Sequence, residues 1–279
     1  MHLCNTASLL PQDDIEMLII DNEHAHATIS LFGAHILSFT PKHDKVQRLW
    51  LSKNALLDGK HPIRGGIPIC WPWFGAHATN AELSSHGYVR NQNWHIVDCQ
   101  DSEQCTKISL RPSITTGLGF DGQAQLTMII TVGAELRIQL VTENTGDSAF
   151  NYTGALHTYF HVDDINDCEL TGLTGEYLDK LQDFKRFDTP NPYRFNQETD
   201  RVHLATPKEL AITSGNHLTH IESAGHDSIV VWNPWSEKSV GMQDMEDDGF
   251  QKMLCVETAV TQGHQVLPGQ SHTLEQVIR

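Results

Sequence analysis

Side chains that alternate between apolar and polar at every second position constrain this chain most. Residues 24 to 39, HAHATISLFGAHILSF, are rich in alternating β-branched and apolar residues, with Gly33 where a bend or bulge would fall. They read as a strand pair or a bent strand. Similar runs recur at NWHIVDC (93 to 99), TKISLRPSI (106 to 114), QLTMIITV (125 to 132) and ELRIQLVTEN (135 to 144), and Gly133-Ala134 marks a hairpin between the last two. The pattern continues through FNYTGALHTYFHV (150 to 162), CELTGL, RVHLAT, LAIT, HLTHIES, SIVVWNP, QKMLCVETAV and SHTLEQVI, each bounded by Gly, Pro, Asn or Asp. Helical periodicity is nearly absent. Many short strands without intervening amphipathic helices predict an all-β antiparallel sandwich or barrel, not a βαβ fold.

Length and composition narrow the class. All-β sandwiches of 279 residues often form one domain, so residues 1–279 are read as a single unit without repeats or linkers. A formal charge of −16 excludes a broad attraction to nucleic acid or anionic lipid, which needs clustered Lys and Arg. No run approaches the roughly 18 apolar residues of a membrane span, and the start MHLCNTASLLPQDDIEM lacks a basic segment followed by an apolar one. Neither secretion nor membrane insertion is expected. The six cysteines (Cys4, Cys70, Cys99, Cys105, Cys168, Cys255) are scattered without a C-x-x-C, which reads most simply as reduced thiols in a cytoplasmic protein. A monomer is the expected state.

Segment 58 to 90, DGKHPIRGGIPICWPWFGAHATNAELSSHGYVR, breaks the alternation and reads as a long ordered loop. Trp71, Trp73 and Phe74 could serve a site there or cap one end of the core. Arg64 and Arg90 flank the aromatic stretch, beside glycines that let backbone and ligand approach; each could equally pair with an acidic loop residue. Asp200-Arg201 reads as a turn with an ion pair.

Among 17 histidines, His24 and His26 share a strand face, but the following residues offer no carboxylate, so a cupin-like metal site is disfavoured. His157, in GALHTYFHV, is a buried neutral histidine on its ordinary reading and a catalytic one on the alternative, with His161 on the same pleat face. Glu257, in MLCVETAV, is the more telling residue. A carboxylate amid apolar neighbours carries a large desolvation cost unless it is paired or used, and its pKa is open to tuning.

Taken together, PIRGGIPICWPWFG, SSHGYVRN, GALHTYFHV, TGLTGEYLDK, ETDRVHL, VVWNPW and LCVETAV resemble, in order and spacing, the glucose-6-phosphate 1-epimerase (hexose-6-phosphate mutarotase) branch of the aldose 1-epimerase family. The resemblance covers nearly the whole chain. It implies a galactose mutarotase-like β-supersandwich and interconversion of the α and β anomers of a hexose 6-phosphate, with no metal or organic cofactor. By position, His157 matches the family's general acid and Glu257 its general base. Arg64, Arg90 and Asp200 match substrate contacts, His86 lies where a second sugar-facing histidine is found, and Ser85 stands where many members of the branch carry Gln.

Such a reaction opens the hemiacetal: a base takes the C1 hydroxyl proton while an acid protonates the ring oxygen, and rotation about C1–C2 precedes reclosure. This predicts an active form with Glu257 ionised and His157 protonated. Arg64 and Arg90 would supply the positive charge that the acidic chain otherwise lacks. Three alternatives stay open: a mutarotase for unphosphorylated aldoses, a non-catalytic carbohydrate-binding protein, and a cupin-type metalloenzyme. Glu257 argues against the second, since a binding module has no need of a buried carboxylate opposite a histidine.

Overall fold

The computed structural model describes residues 3–279 and is built almost entirely of antiparallel strands. In the first sheet four strands follow one another in chain order: Ala7–Gln12, Ile15–Asp21, Ala25–Ser30 and His35–Pro41. The expected strand pair around Gly33 is its second half, and Ala7–Gln12 and Ile15–Asp21 are strands the alternation did not announce.

A nine-stranded sheet contains the hairpins of the middle of the chain. Ala124–Val132 and Leu136–Asn144 pair residue for residue around Gly133-Ala134, and every second side chain is buried on both strands. Ser271–Ile278 pairs with Leu136–Asn144, and Thr106–Pro112 and Trp94–Asp101 extend the sheet to one edge.

The third sheet has eight strands. At its centre the 14-residue strand Met253–Val266 pairs with Ser228–Asn233 on one side and with Phe150–Leu156 and Tyr159–His161 on the other. Leu254 and Val256 join one contiguous apolar cluster that draws on all three sheets. The opposite face bears Cys70, Ala155, Val202, Val230 and Ala259, packed as a small separate cluster. Ser228–Asn233 is therefore buried along its whole length, with apolar side chains on both faces.

Helix is confined to Trp235–Val240 and a few single turns, as the periodicity predicts. Between residues 58 and 90 the chain forms only the two-residue strand Ile69–Cys70 and the start of one 3-10 turn. Trp71 and Trp73 turn inward and join the main core, while Phe74 does not.

One expectation is corrected. Cys4 and Cys99 form a disulfide with Cα atoms 5.7 Å apart, while Cys70, Cys105, Cys168 and Cys255 are free. The partners are 95 residues apart, and Thr6 also bonds Asp101, so the segment leading into Ala7–Gln12 is held against the Trp94–Asp101 edge strand. Sequence spacing carries no signal for a pairing between a segment that precedes one sheet and an edge strand of another.

Candidate active site

The neutral-looking strand face above the small cluster opens into a pocket of about 180 Å³ lined by Arg64, Phe74, His86, His157, Tyr159, Lys180, Asp200, Trp232 and Glu257, among others. At ~30 Å³ per water this is room for about six waters, the scale of one sugar ring and far below that of a dinucleotide. A larger surface groove of about 670 Å³, between residues 119–123 and 146–151, offers only Asp121 and Asp147 as ionisable groups.

Glu257 reaches the floor because the register Val230↔Glu257 puts its side chain on the face opposite Val256. It is 1% exposed. His157 comes from the break between Phe150–Leu156 and Tyr159–His161, where its own N–H donates to the Pro68 carbonyl at 3.0 Å. Its Nε2 lies 3.3 Å from Glu257 Oε1. The same break corrects one detail of the sequence reading: His161 does not join His157 but lines a separate groove with Asp163 and His217.

Burial dominates the electrostatics of the pair. It pushes the Glu257 carboxyl well above the ordinary carboxylate range, opposed by Lys180 and Arg90 and reinforced by Asp200. It holds His157 well below the ordinary imidazole range, with His86, Arg90 and Arg64 acting in the same direction. The unliganded site thus favours a protonated carboxyl beside a neutral imidazole. Among the described residues, Glu257 Oε2 has no hydrogen-bond partner.

The walls come from elsewhere. Arg64 leaves the loop between Ser52 and Ile67, donates from Nη1 to the Tyr159 hydroxyl at 3.0 Å and pairs with Asp244 at 3.1 Å. His86 adopts a left-handed φ of 66°, and its Nδ1 accepts the Gly75 N–H at 3.2 Å, which leaves Nε2 as the protonated nitrogen of the neutral ring. Burial, with help from Arg90, Lys180 and Arg64, lowers its pKa to about 3. Next to it Gly87 (φ 74°) presses so close to Trp71 that an added Cβ would lie 1.9 Å from the Trp71 carbonyl oxygen. Only glycine lets the loop fold back there.

Asp200, opposite Trp232 in register, lines the pocket, and its Oδ1 lies 2.9 Å from Lys180 Nζ. That oxygen makes no well-directed hydrogen bond, so the contact is an ion pair alone. Arg201 instead stacks on Tyr177 and faces Asp179.

Two expected contacts lie outside the lining. Ser85 is exposed, and its carbonyl accepts from Arg90 Nη2 at 2.9 Å. Arg90 is not among the lining residues, and Gly33 leaves room for its carbonyl. It still acts through space on His35, His86, His157 and Glu257. Sequence reasoning passed over Lys180 and Tyr159, although the segments TGLTGEYLDK and GALHTYFHV contain them. The Asp179 side chain caps the turn that follows, from which Lys180 projects.

Among the described residues, one group of side chains is close enough to hold a metal: His157, Cys255 and Glu257, within 4.8 Å of one another. His24 instead bonds the Glu103 carbonyl and His26 is exposed.

A buried carboxyl and an imidazole thus meet at the floor of a polar pocket the size of one sugar ring. The chain belongs to the aldose 1-epimerase family, whose sequence pattern it matches over residues 16–279, and is an isomerase acting at the anomeric carbon of a sugar. A protein of Escherichia coli provisionally named a glucose-6-phosphate 1-epimerase is 35% identical over 253 residues, 88% of this chain and 84% of its own length. A plant protein of the same provisional name, from Cenchrus ciliaris, is 35% identical over 85% of this chain and 75% of its own. The crystal structure of a protein from Salmonella typhimurium, provisionally called a mutarotase, superposes with a TM-score of 0.91 at 30% identity, covering 99% of this chain and 94% of that one. The galactose mutarotase-like fold is thus the one that the family resemblance implies.

Proposed function

We propose that this chain interconverts the α and β anomers of a hexose 6-phosphate, with Glu257 as the base at the C1 hydroxyl and His157 as the acid at the ring oxygen. The observation that carries the reading is the 3.3 Å contact between His157 and Glu257 on the pocket floor, beneath the cations Arg64 and Lys180. The C1 hydroxyl and ring oxygen share one carbon atom, so the two groups serving them must be close neighbours. No helix among the described residues is long and apolar enough to cross a membrane.

In the forward step the Glu257 carboxylate removes the C1 hydroxyl proton while the His157 imidazolium gives its proton to the ring oxygen. The bond from C1 to that oxygen breaks as the carbonyl forms. The pair is left as a carboxylic acid beside a neutral imidazole. That is the distribution burial favours, so the dry floor of the site assists ring opening, while Lys180 and Arg90 support the ionised carboxylate needed to begin. After rotation about C1–C2 the same protons return, and the enzyme regains its starting state without solvent.

Arg64 and Lys180 offer the charge-assisted donors that a phosphate needs, and relatives named for glucose 6-phosphate support this substrate. A second reading, an unphosphorylated aldose, has its own observation: both cations already face carboxylates, Asp244 and Asp200. One core cluster shared by all sheets supports a single domain. A cytoplasmic setting suits a phosphorylated substrate and four free cysteines, with the Cys4–Cys99 disulfide pulling the other way.

NMR exchange between anomers of glucose, galactose and their 6-phosphates tests the reading. Faster exchange for the phosphorylated sugars is expected, and equal rates would transfer the assignment to free aldoses.

A further inference from the structure

His157 is held in an uncommon way. A histidine that transfers or coordinates through one nitrogen is ordinarily oriented by a hydrogen bond from the other, to a carboxylate or a backbone carbonyl. Here Nδ1 is buried and finds no partner outside its own residue, and Nε2 faces Glu257 alone. One contact at one nitrogen leaves the ring plane undetermined.

Aromatic packing supplies what hydrogen bonding does not. The Tyr159 ring lies 5.0 Å from the imidazole and within 13° of parallel. Trp50 stacks on Tyr159 at 5.9 Å and 25°, and Trp232 stands edge-on to both His157 and Tyr159. Tyr159 itself is fixed at both ends. Its backbone N–H donates to Gly66 and its carbonyl accepts from Trp50, each at 2.9 Å, while Arg64 donates to its hydroxyl at 3.0 Å.

Resting on the reading above, we propose that Tyr159 is the positioning residue of the site: its ring fixes the plane of His157 in place of an Nδ1 partner, and its hydroxyl ties that plane to Arg64. The cation that meets the anionic end of a substrate and the acid that meets its ring oxygen are thereby held as one unit. The stacked π face also favours a charged imidazole over a neutral one, against the effect of burial.

The test begins with the wild-type protein, because absence of anomer exchange on any sugar would defeat the functional reading itself and not this inference. Given an active enzyme, Tyr159→Leu is expected to lower kcat on the order of 10²-fold with KM changed less than about threefold, since misplacement costs rate more than binding. Tyr159→Phe keeps the stack and should recover most of kcat, while raising KM for the 6-phosphate more than for the free sugar. A folded Leu variant with wild-type kcat, or Leu and Phe variants equally impaired, would overturn the inference. Should the Leu variant not fold, NMR of the wild type decides: ring protons of His157 shifted upfield by Tyr159 are expected, and signals at the positions of free histidine would refute the stack.

Discussion

The two halves of the site are built by different means. Glu257 stands on the eight-stranded sheet, where ladder register fixes its side chain, and His157 in the break between two strands of that sheet, where aromatic packing holds it. Arg64, Ser85, His86 and Arg90 come from the long loop between residues 58 and 90, whose shape depends on a left-handed histidine and on glycines pressed against backbone. Of these four only Arg64 and His86 reach the pocket lining. On the proposed reading, the sheet sets the reacting atoms within the narrow tolerance proton transfer demands, and the loop supplies recognition. Substitutions on the sheet should therefore act on rate, and those on the loop on binding or folding.

The largest break would come from Glu257→Gln, which keeps the shape and removes the base. Loss of kcat on the order of 10² to 10⁴ with little change in KM is expected by anomer-exchange NMR, and full activity would remove Glu257 from the reaction. Next is the loop's own architecture: Gly87→Ala drives a Cβ into the Trp71 carbonyl and should destabilise by about 3 kcal/mol in denaturant titration. A variant as stable as wild type would mean that the loop yields easily.

Removing one charge-assisted contact costs about 1.5 to 3 kcal/mol, so Arg64→Ala should weaken hexose 6-phosphate binding roughly 10- to 100-fold and free hexose much less. Arg90→Ala, outside the lining, should discriminate between the two sugars in the same sense but by a smaller factor. Equal losses for both sugars would argue against a phosphate contact at either residue.

A pH comparison sharpens the contrast further. One shared proton on the pair is the active state. With His157 held down and Glu257 pushed up, the bell-shaped rate profile should be broad, its acid limb below the ordinary imidazole value of 6.5 and its basic limb well above the ordinary carboxylate value. Under the loop, His35 is buried against the Gly65 carbonyl, and desolvation lowers its pKa to about 4. Between pH 6.5 and about 4 the unfolded chain binds a proton at this residue that the folded one refuses, so the contribution of His35 to stability, read against a His35→Gln variant, should fall as pH drops through that window and be flat above it, while Glu257 acts in the opposite sense. Thermal melts in this range check the sign. The smallest effect belongs to Ser85→Ala, whose exposed side chain lies outside the lining: kcat and KM should stay within about twofold of wild type.

The division between sheet and loop also explains what could be read from sequence. Alternation located the hairpin at Gly133-Ala134, the strands on either side of His157 and the strand carrying Glu257, because burial on one face imposes that pattern. Glu257 was conspicuous for its apolar neighbours. Ala7–Gln12 was missed because five of its six residues are exposed on a sheet edge, where no alternation is required. The Cys4–Cys99 bond was missed with it. Lys180 and Tyr159 were invisible for another reason: their parts depend on partners distant in sequence, Asp200 and Arg64, and residue type alone does not announce a contact.

Glu257 Oε2 leaves one further consequence. A buried acceptor without a donor makes the empty enzyme less stable than its fold could otherwise be, and a sugar hydroxyl is the group that would complete it. Occupancy should therefore appear as heat resistance: at ligand concentrations about 100 times Kd the folded state gains ~2.7 kcal/mol. A melting curve would thus rank sugars by affinity even for a variant that no longer turns them over.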